Sequence, residues 1–314
     1  MSQVRLRVVM PVHNASQYVD EALRSVLKDL VDDAEVVIVD DGSTDATAAI
    51  LKRYVEADAR VTVLTNPAPT GVSRALNQAI TRPGCPEFVA VAEHDDVTLP
   101  GRFAAQLAAL DDAPDLGAVS SVGRYVGPDG RIVGRFASGP INIEEFEEQR
   151  ARGKAILIPH PCVMYRRAAL DDVGLYDSSF DGAQDLELFN RLIYLGGWRV
   201  MTLTTLGIHY RMHAESMSFA KMSAQRAVDN YIWYRNRQVL DNQPYVNFEQ
   251  WCRERKLTAR QRLMYARRDR GALLYRRAGL AWLTRRPISF ALNLLGAALL
   301  HPRWVLLKVR VARG

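Results

Sequence analysis

Four polar residues, Glu93-His94-Asp95-Asp96, directly follow the apolar run Phe88-Val89-Ala90-Val91-Ala92. The run reads as a buried strand covered on both faces, which puts the acids at a strand end. Neighbouring carboxylates repel, and desolvating one without a partner is costly. Two chemistries would place them there. Hard oxygen ligands suit magnesium or manganese, and such an ion can carry phosphates. Short acidic clusters also make turns, and this one could cap a helix near Pro100-Gly101-Arg102.

A second acidic cluster, Asp40-Asp41, follows another apolar run, Val36 to Val39. The elements that must hold both clusters alternate. Val4 to Val12 reads as a strand broken by Pro11, with Asn14-Ala15-Ser16 offering a cap for a helix marked by Tyr18, Ala22, Val26 and Leu30. Glu35 to Val39 is a strand. Gly42 permits a tight turn after it, and Ser43, Thr44 or Asp45 could cap a helix running to about Glu56. Val61 to Leu64 is a strand, Gly71 to Ile80 a helix, and Phe88 to Ala92 a fourth strand. This alternation predicts a parallel, doubly wound α/β sheet. Ligands of such sheets bind beyond the carboxyl ends of the strands, where both clusters lie.

Asp185 stands between Gly182-Ala183-Gln184 and an apolar helical stretch, Leu186 to Leu195, that ends at Gly196-Gly197. A carboxylate at a helix N-terminus is stabilised as the anion, ready to act as a base, or it merely caps that helix. Displacement by a hydroxyl needs one positioned base and a means of stabilising the leaving group. A lone carboxylate argues for direct displacement with inversion and against two-carboxylate hydrolysis.

Val9-Met10-Pro11-Val12-His13-Asn14, Val37 to Asp45 and His94-Asp95-Asp96 together resemble the nucleotide-binding half of family 2 glycosyltransferases. The resemblance continues through Gly71 to Asn77, His160 to Arg166, Gln184 to Leu188 and Tyr210-Arg211-Met212-His213, covering residues 4 to 218. It implies a Rossmann-like nucleotide-diphosphosugar transferase fold with a mostly parallel central sheet. It also implies a nucleotide-diphosphosugar donor and a divalent metal, manganese or magnesium. Carried over by position, Pro11, Val12 and Asn14 line the nucleotide, Asp41 meets the base or ribose, and Asp40 shapes the same turn. Asn77 and Glu93 are further contacts; Glu93 stands where the family often has Asp. His94 fills the variable middle position, facing acceptor or solvent, and is carried as another contact. Asp95 resembles the metal ligand, His213 a second metal or diphosphate contact, and Asp185 the general base.

His209 and His213 are four apart, a zinc spacing on a helix, but Gly207 to Arg211 reads as a strand. His160 before Pro161 reads as structural or functional, and Arg211 as a candidate phosphate contact or a solvated cation.

The 314 residues are 48% apolar and 24% charged, ordinary for a globular protein with one large domain or a domain and an appendage. Cys85, Cys162 and Cys252 form no CxxC pair, which favours a reducing, cytoplasmic compartment. Residues 1–7 have no long apolar run behind their charges, so no signal peptide is expected. Charge is uneven: residues 251–314 hold 16 Lys and Arg against 2 Asp and Glu, whereas the first 250 hold 25 against 33.

The expected division is a catalytic domain over residues 1–218, with a nucleotide-binding half to about 100 and an acceptor half beyond. A helical extension follows over residues 219–314. The apolar run Ile288 to Leu300 is 13 residues, short of the roughly 20 a bilayer span needs. Flanked by Arg285, Arg286, Arg303, Lys308, Arg310 and Arg313, it reads as a helix pair on the anionic inner face of a membrane. The competing reading is a hairpin packed on the catalytic domain or a homodimer partner. Bulky aliphatics between the basic residues argue against nucleic acid.

The expected activity is transfer of one sugar to a carbohydrate or lipid-linked acceptor, in cell-surface polysaccharide, glycolipid or glycoconjugate assembly. A sugar-nucleotide nucleotidyltransferase is the first rival, but its Gly-rich basic loop is replaced by His13-Asn14-Ala15-Ser16. A non-catalytic sugar-nucleotide-binding protein is the second, and Asp41, Asp95, Asp185 and His213 argue against it. The Gln-x-x-Arg-Trp signature of processive synthases is missing from the sequence.

Overall fold

The computed structural model describes residues 4–84, 86–127, 130–212, 222–255, 258–283, 285–302 and 305. His213 lies outside them. The first elements are β1 (Leu6–Val12), α1 (Val19–Asp29), β2 (Ala34–Asp41), α2 (Thr47–Ala57), β3 (Val61–Asn66), α3 (Val72–Thr81) and β4 (Phe88–Val91). They are followed by β5 (Val97–Thr98), α4 (Arg102–Asp112), β6 (Leu116–Val126), β7 (Ile132–Phe136), α5 (Ile143–Ala151), β8 (Met164–Arg166) and α6 (Arg167–Val173). Next come α7 (Gln184–Tyr194), β9 (Arg199–Arg211), α8 (Met222–Leu240), α9 (Phe248–Glu254), α10 (Ala259–Leu283) and α11 (Pro287–Leu300).

The sheet order is β3-β2-β1-β4-β8-β6-β9-β5, with β7 on β6. β3, β2, β1 and β4 run parallel, as the alternation predicts. β8 then joins β4 antiparallel. The apolar runs of β1, β2 and β4 divide by their twofold period. Val9, Val37, Val39, Val89 and Val91 face Ala75, Leu76, Ala79 and Ile80 of α3. Val8, Met10, Val36, Ile38, Phe88 and Ala90 face Leu23 and Val26 of α1 and Phe103 and Leu110 of α4. Each strand is therefore sandwiched between helices, which is why its sequence is apolar on both faces.

Pro11 does not break β1; it stays in register with Val39. The carbonyl of Val9 turns toward β4 and accepts from Ala92 N at 3.0 Å. Pro11, two residues on, faces the same side, where β4 has ended, so its missing N–H disrupts no ladder bond.

Arg7 is the charged exception inside β1. Its fully buried guanidinium donates to Ala79 O, Ile80 O and Arg82 O at 3.3, 3.1 and 2.6 Å, and pairs with Glu35 at 2.7 Å. It thus satisfies the open carbonyls at the C-terminal end of α3 and sits at the negative end of the helix dipole.

The cap expected from Asn14-Ala15-Ser16 is not made. The α1 N-cap is Tyr18, without a side-chain bond. Asn14 and Ser43 to Thr47 instead lock two loops together, and Asp45 receives the Thr47 amide at 3.0 Å.

Two compact units emerge. The first comprises residues 1–124, 135–210 and 232–244; the second comprises 125–134, 211–231 and 245–314. The end of α8 thus belongs with the first unit rather than with a separate extension. There Arg235 donates to buried Glu187 of α7 at 2.7 Å. In the second unit, α10 and α11 form a close hairpin: a Cβ on Gly296 would lie 2.9 Å from Leu274 Cδ1. Trp282 and Phe290 meet across it with ring centroids 5.1 Å apart. Among the described residues no helix is long and apolar enough to cross a membrane. Cys162 and Cys252 are free thiols.

Candidate active site

The end of β2 carries Asp40 and Asp41, both buried. Asp40 Oδ1 accepts from Ser43 N at 3.0 Å, shaping the turn into α2. Gly42 holds φ +74 there, and a Cβ on it would fall 2.7 Å from the Ala68 backbone. Asp41 faces the other way. Its carboxylate accepts from Asn66 Nδ2 at 2.8 Å, Thr70 Oγ1 at 2.8 Å, Thr70 N at 2.9 Å and Gly71 N at 2.9 Å. Burial pushes its pKa up, but these bonds outweigh that and hold it below the ordinary value. The residue expected at the base or ribose thus also organises the loop that starts α3.

Asn14 holds φ +50, and its Oδ1 accepts from Thr44 N at 2.8 Å. Pro11 and Val12 close β1 beside it, both buried. Asn77, expected at the nucleotide, grips the Tyr176 backbone with both ends of its amide. Nδ2 donates to Tyr176 O at 2.8 Å and Oδ1 accepts from Tyr176 N at 3.0 Å.

The end of β4 carries Glu93, His94 and Asp95, all half-buried, and Asp96, buried. His94 is half-buried, and its Nδ1 donates to Pro11 O at 3.3 Å, tying the cluster to β1. Glu93 Oε1 lies 3.5 Å from His160 Nδ1. His160 Nε2 is 2.9 Å from the Tyr176 hydroxyl, which donates to Tyr165 Oη at 3.0 Å. Both ring nitrogens of His160 therefore face acceptors, an arrangement that suits the imidazolium. Burial pushes its pKa down, yet the Glu93 bond and the charges of Asp185 and Glu93 raise it overall. Burial likewise lifts the hydroxyls of Tyr165 and Tyr176.

Behind the cluster lies Arg102, fully buried at the first position of α4, donating to Val91 O at 2.6 Å. Burial lowers its pKa, against the charges of Asp29 and Asp96. Its position was a clue in the sequence, because a cation at a helix N-terminus opposes the dipole unless its charge serves elsewhere.

Asp185 lies in the first turn of α7, half-buried, with Oδ1 accepting from Leu186 N at 2.8 Å. Its charge reaches His160, Tyr165 and Tyr176. The expected base and the expected acidic cluster thus flank one buried polar chain. Asp181, which no sequence motif marked, accepts from the Ser73 hydroxyl of α3. A Cβ on Gly71 would lie 2.7 Å from its Oδ2, so glycine there admits the carboxylate.

Asp95 offers one half-buried carboxylate, with Glu93 turned to His160 and His94 to Pro11. That donor set fits magnesium or manganese, which take one or two carboxylates and complete their shell with water and substrate phosphate. Among the described residues no three His, Cys, Asp or Glu side chains form a metal cage. His209 lies within β9, as the strand reading of Gly207 to Arg211 expected, and Arg211 is buried at the end of that strand.

Comparison with known proteins agrees with this geometry. The profile described as "Glycosyl transferase family 2" matches residues 7–174. Chondroitin synthase of Pasteurella multocida (strain Pm70) is 23% identical over 251 residues, 79% of this chain and 25% of that protein. The putative teichuronic acid biosynthesis glycosyltransferase TuaG of Bacillus subtilis (strain 168) is 36% identical over 89 residues, 28% of this chain and 35% of that protein. The chain spans about a quarter of the length of the synthases it matches. Among solved structures, the mannosyltransferase PcManGT from Pyrobaculum calidifontis, in complex with GDP-Man and Mn2+, has a TM-score of 0.54 at 20% identity. That match covers 98% of this chain and 79% of the other. S. aureus TarS 1-349 in complex with UDP-GlcNAc also has a TM-score of 0.54, at 18% identity, over 94% of this chain and 91% of the other. These structures share the fold, and the matched profile covers more than half of the chain. The chain therefore belongs to glycosyl transferase family 2.

Proposed function

We propose that the protein moves one sugar from a nucleotide-diphosphosugar to an acceptor hydroxyl, with inversion at the anomeric carbon. What supports this reading is the Glu93–His160–Tyr176 chain, which the charge of Asp185 on the first turn of α7 also reaches, with Asp95 two residues beyond Glu93. In this reading Asp185 takes the proton of the acceptor hydroxyl. The acceptor oxygen bonds to the anomeric carbon as the bond to the diphosphate oxygen breaks, and the nucleoside diphosphate leaves. Magnesium or manganese held by Asp95 would neutralise charge on the diphosphate. Asp41, Asp40, Asn14 and Asn77 shape the nucleotide side through the loops they hold, and Pro11 and Val12 form its floor. Glu93 and His94 act by fixing the cluster.

The interlocked loop at His13 to Ser16 is not the basic, Gly-rich loop of a nucleotidyltransferase, so that rival gains no support. The acceptor we infer is a carbohydrate or lipid-linked sugar of surface polysaccharide or glycoconjugate assembly, met on the cytoplasmic side of a membrane. The test is a panel of nucleotide sugars with manganese, read first by thermal shift. Transfer to hydroxyl acceptors follows, with parent and Asp185→Asn compared. Donor binding by both with transfer by the parent alone is expected. Equal transfer by the two would remove Asp185 from the role.

A further inference from the structure

Ile288, Leu292, Leu295 and Leu299 recur along α11 at steps of four, three and four. At 3.6 residues per turn they form one stripe. All four are exposed, at 76, 65, 58 and 68%. The opposite side of α11 is packed: Ala297 is buried, and Gly296 lies against Leu274 of α10. α11 carries no charged side chain over its 14 residues. Basic groups stand around it instead. Arg285 and Arg286 are exposed just before its start, as are Arg267, Arg268, Arg270 and Arg277 on α10. Trp282, in the last turn of α10, is exposed at 66%.

An apolar stripe of this kind needs a cover, and the charge selects it. A second copy would bring the same excess of 16 basic over 2 acidic residues against itself. An anionic surface complements that excess. At 1.5 Å per residue α11 is about 21 Å long, short of a hydrocarbon core of about 30 Å. A helix this apolar along one stripe, this short and ringed by arginine is suited to lie in the interface plane rather than to cross it.

We propose that α11 docks the protein on an anionic lipid bilayer, with the Ile288–Leu299 stripe in the boundary between headgroups and acyl chains. Arg285 and Arg286 then meet lipid phosphates, and Trp282 sits at the rim, where an amphipathic ring is favoured. The inference deepens the membrane-side reading above and rests on it for its purpose. Its test reads vesicle binding with no sugar transfer, so failure here leaves the transfer reading standing.

The full chain is floated with phosphatidylcholine vesicles containing about a quarter phosphatidylglycerol and with phosphatidylcholine alone, at low salt and at about 0.5 M salt. The parent should float with the anionic vesicles, and binding should fall with salt and with neutral lipid. Replacing Ile288, Leu292, Leu295 and Leu299 together by Ser should reduce the bound fraction by about tenfold or more, given the apolar area withdrawn. Arg285→Gln with Arg286→Gln should weaken binding and flatten its salt dependence. Circular dichroism and manganese-dependent nucleotide binding confirm that each variant is folded. Equal flotation of parent and serine variant overturns the proposal, as does no flotation of the parent. A parent dimer by light scattering that becomes a monomer in the serine variant, without flotation, would assign the stripe to a second copy.

Discussion

Asp41→Asn tests whether the carboxylate at the end of β2 serves the protein or only a ligand. Four protein donors converge on it: the Asn66 amide, the Thr70 hydroxyl and the backbone N–H groups of Thr70 and Gly71. The asparagine side chain keeps one acceptor oxygen and turns an NH2 group toward donors, so at least one buried N–H loses its partner. Bonds to a charged acceptor contribute about 1.5–3 kcal/mol against about 0.5–1.5 for neutral ones, and an orphaned buried donor costs about 1–3 kcal/mol. The substitution should therefore cost about 2–4 kcal/mol of stability near neutral pH. The cost should also depend on pH. Asp41 is held below its ordinary value of 3.8, so its stabilisation is complete above that value and is lost as pH falls through the depressed one. Urea unfolding followed by tryptophan fluorescence should show a parent–variant gap that is widest near neutrality and narrows in acid. A variant as stable as the parent at neutral pH that has nonetheless lost nucleotide binding would refute the reasoning. The carboxylate would then belong to the base or ribose, and the loop from Asn66 to Gly71 would be held by something else.

Asp185→Asn should keep donor affinity within about twofold and lose transfer by about 10² or more; near-parent turnover would exclude a proton-accepting role. Asp95→Asn should lose the thermal shift that nucleotide gives in the presence of manganese while keeping the parent melting point without ligand. An unchanged manganese-dependent shift would move the metal elsewhere. His160→Gln retains hydrogen-bonding groups but cannot take the charge. Because the folded pKa of His160 is raised above 6.5, its contribution is complete below that value and fades as pH rises through the raised one. The parent–variant stability gap should shrink accordingly above about pH 6.5, and a gap constant with pH would show that the imidazolium carries no part of it.

The strands and helices up to α3 were legible because each is marked by its own period: apolar runs covered on both faces, and stripes at helical spacing. The two acidic clusters were legible because they interrupt those runs at strand ends. What each acid holds was not. Asn77 binds Tyr176, 99 residues away, and Glu93 meets His160, 67 positions on. Nothing in local spacing encodes such a pairing. Pro11 was misread as a strand breaker because the end of the neighbouring strand, which removes the need for its N–H, lies 80 residues further along. The capping role expected of Asn14 to Ser16 failed for a related reason, since the Asn14 amide oxygen accepts from Thr44 N of a second loop and the backbone N–H groups of Asn14 to Ser16 are bound by Ser43, Thr47 and Asp45. Arg7 and Arg102 did leave a local sign, a charge inside an apolar strand and a cation at a helix start. Each turned out to be buried against backbone carbonyls.

These partnerships also bear on how the proposed mechanism would hold Asp95 and Asp185 in place. Catalytic groups on loops must be held to within about half an ångström, and the loops at this open end have little apolar surface with which to hold themselves. Polar side chains supply the constraint. Asp41 and Asp181 gather the start of α3, where the helix dipole favours anions, while Arg7 closes its other end. Asp40 and Asn14 lock the loops after β2 and β1, and His94 ties the β4 cluster to Pro11. Further along the chain, α7 is pinned by Arg191 to the carbonyls of Val173, Gly174 and Leu175, by Glu187 to Arg235, and by Asn190 to the backbone of Ile156. Asp185, on the first turn of that helix, inherits its rigidity. Most of these acids thus position loops. In the proposed mechanism Asp95 follows the buried strand β4 and Asp185 stands on the first turn of the clamped helix α7.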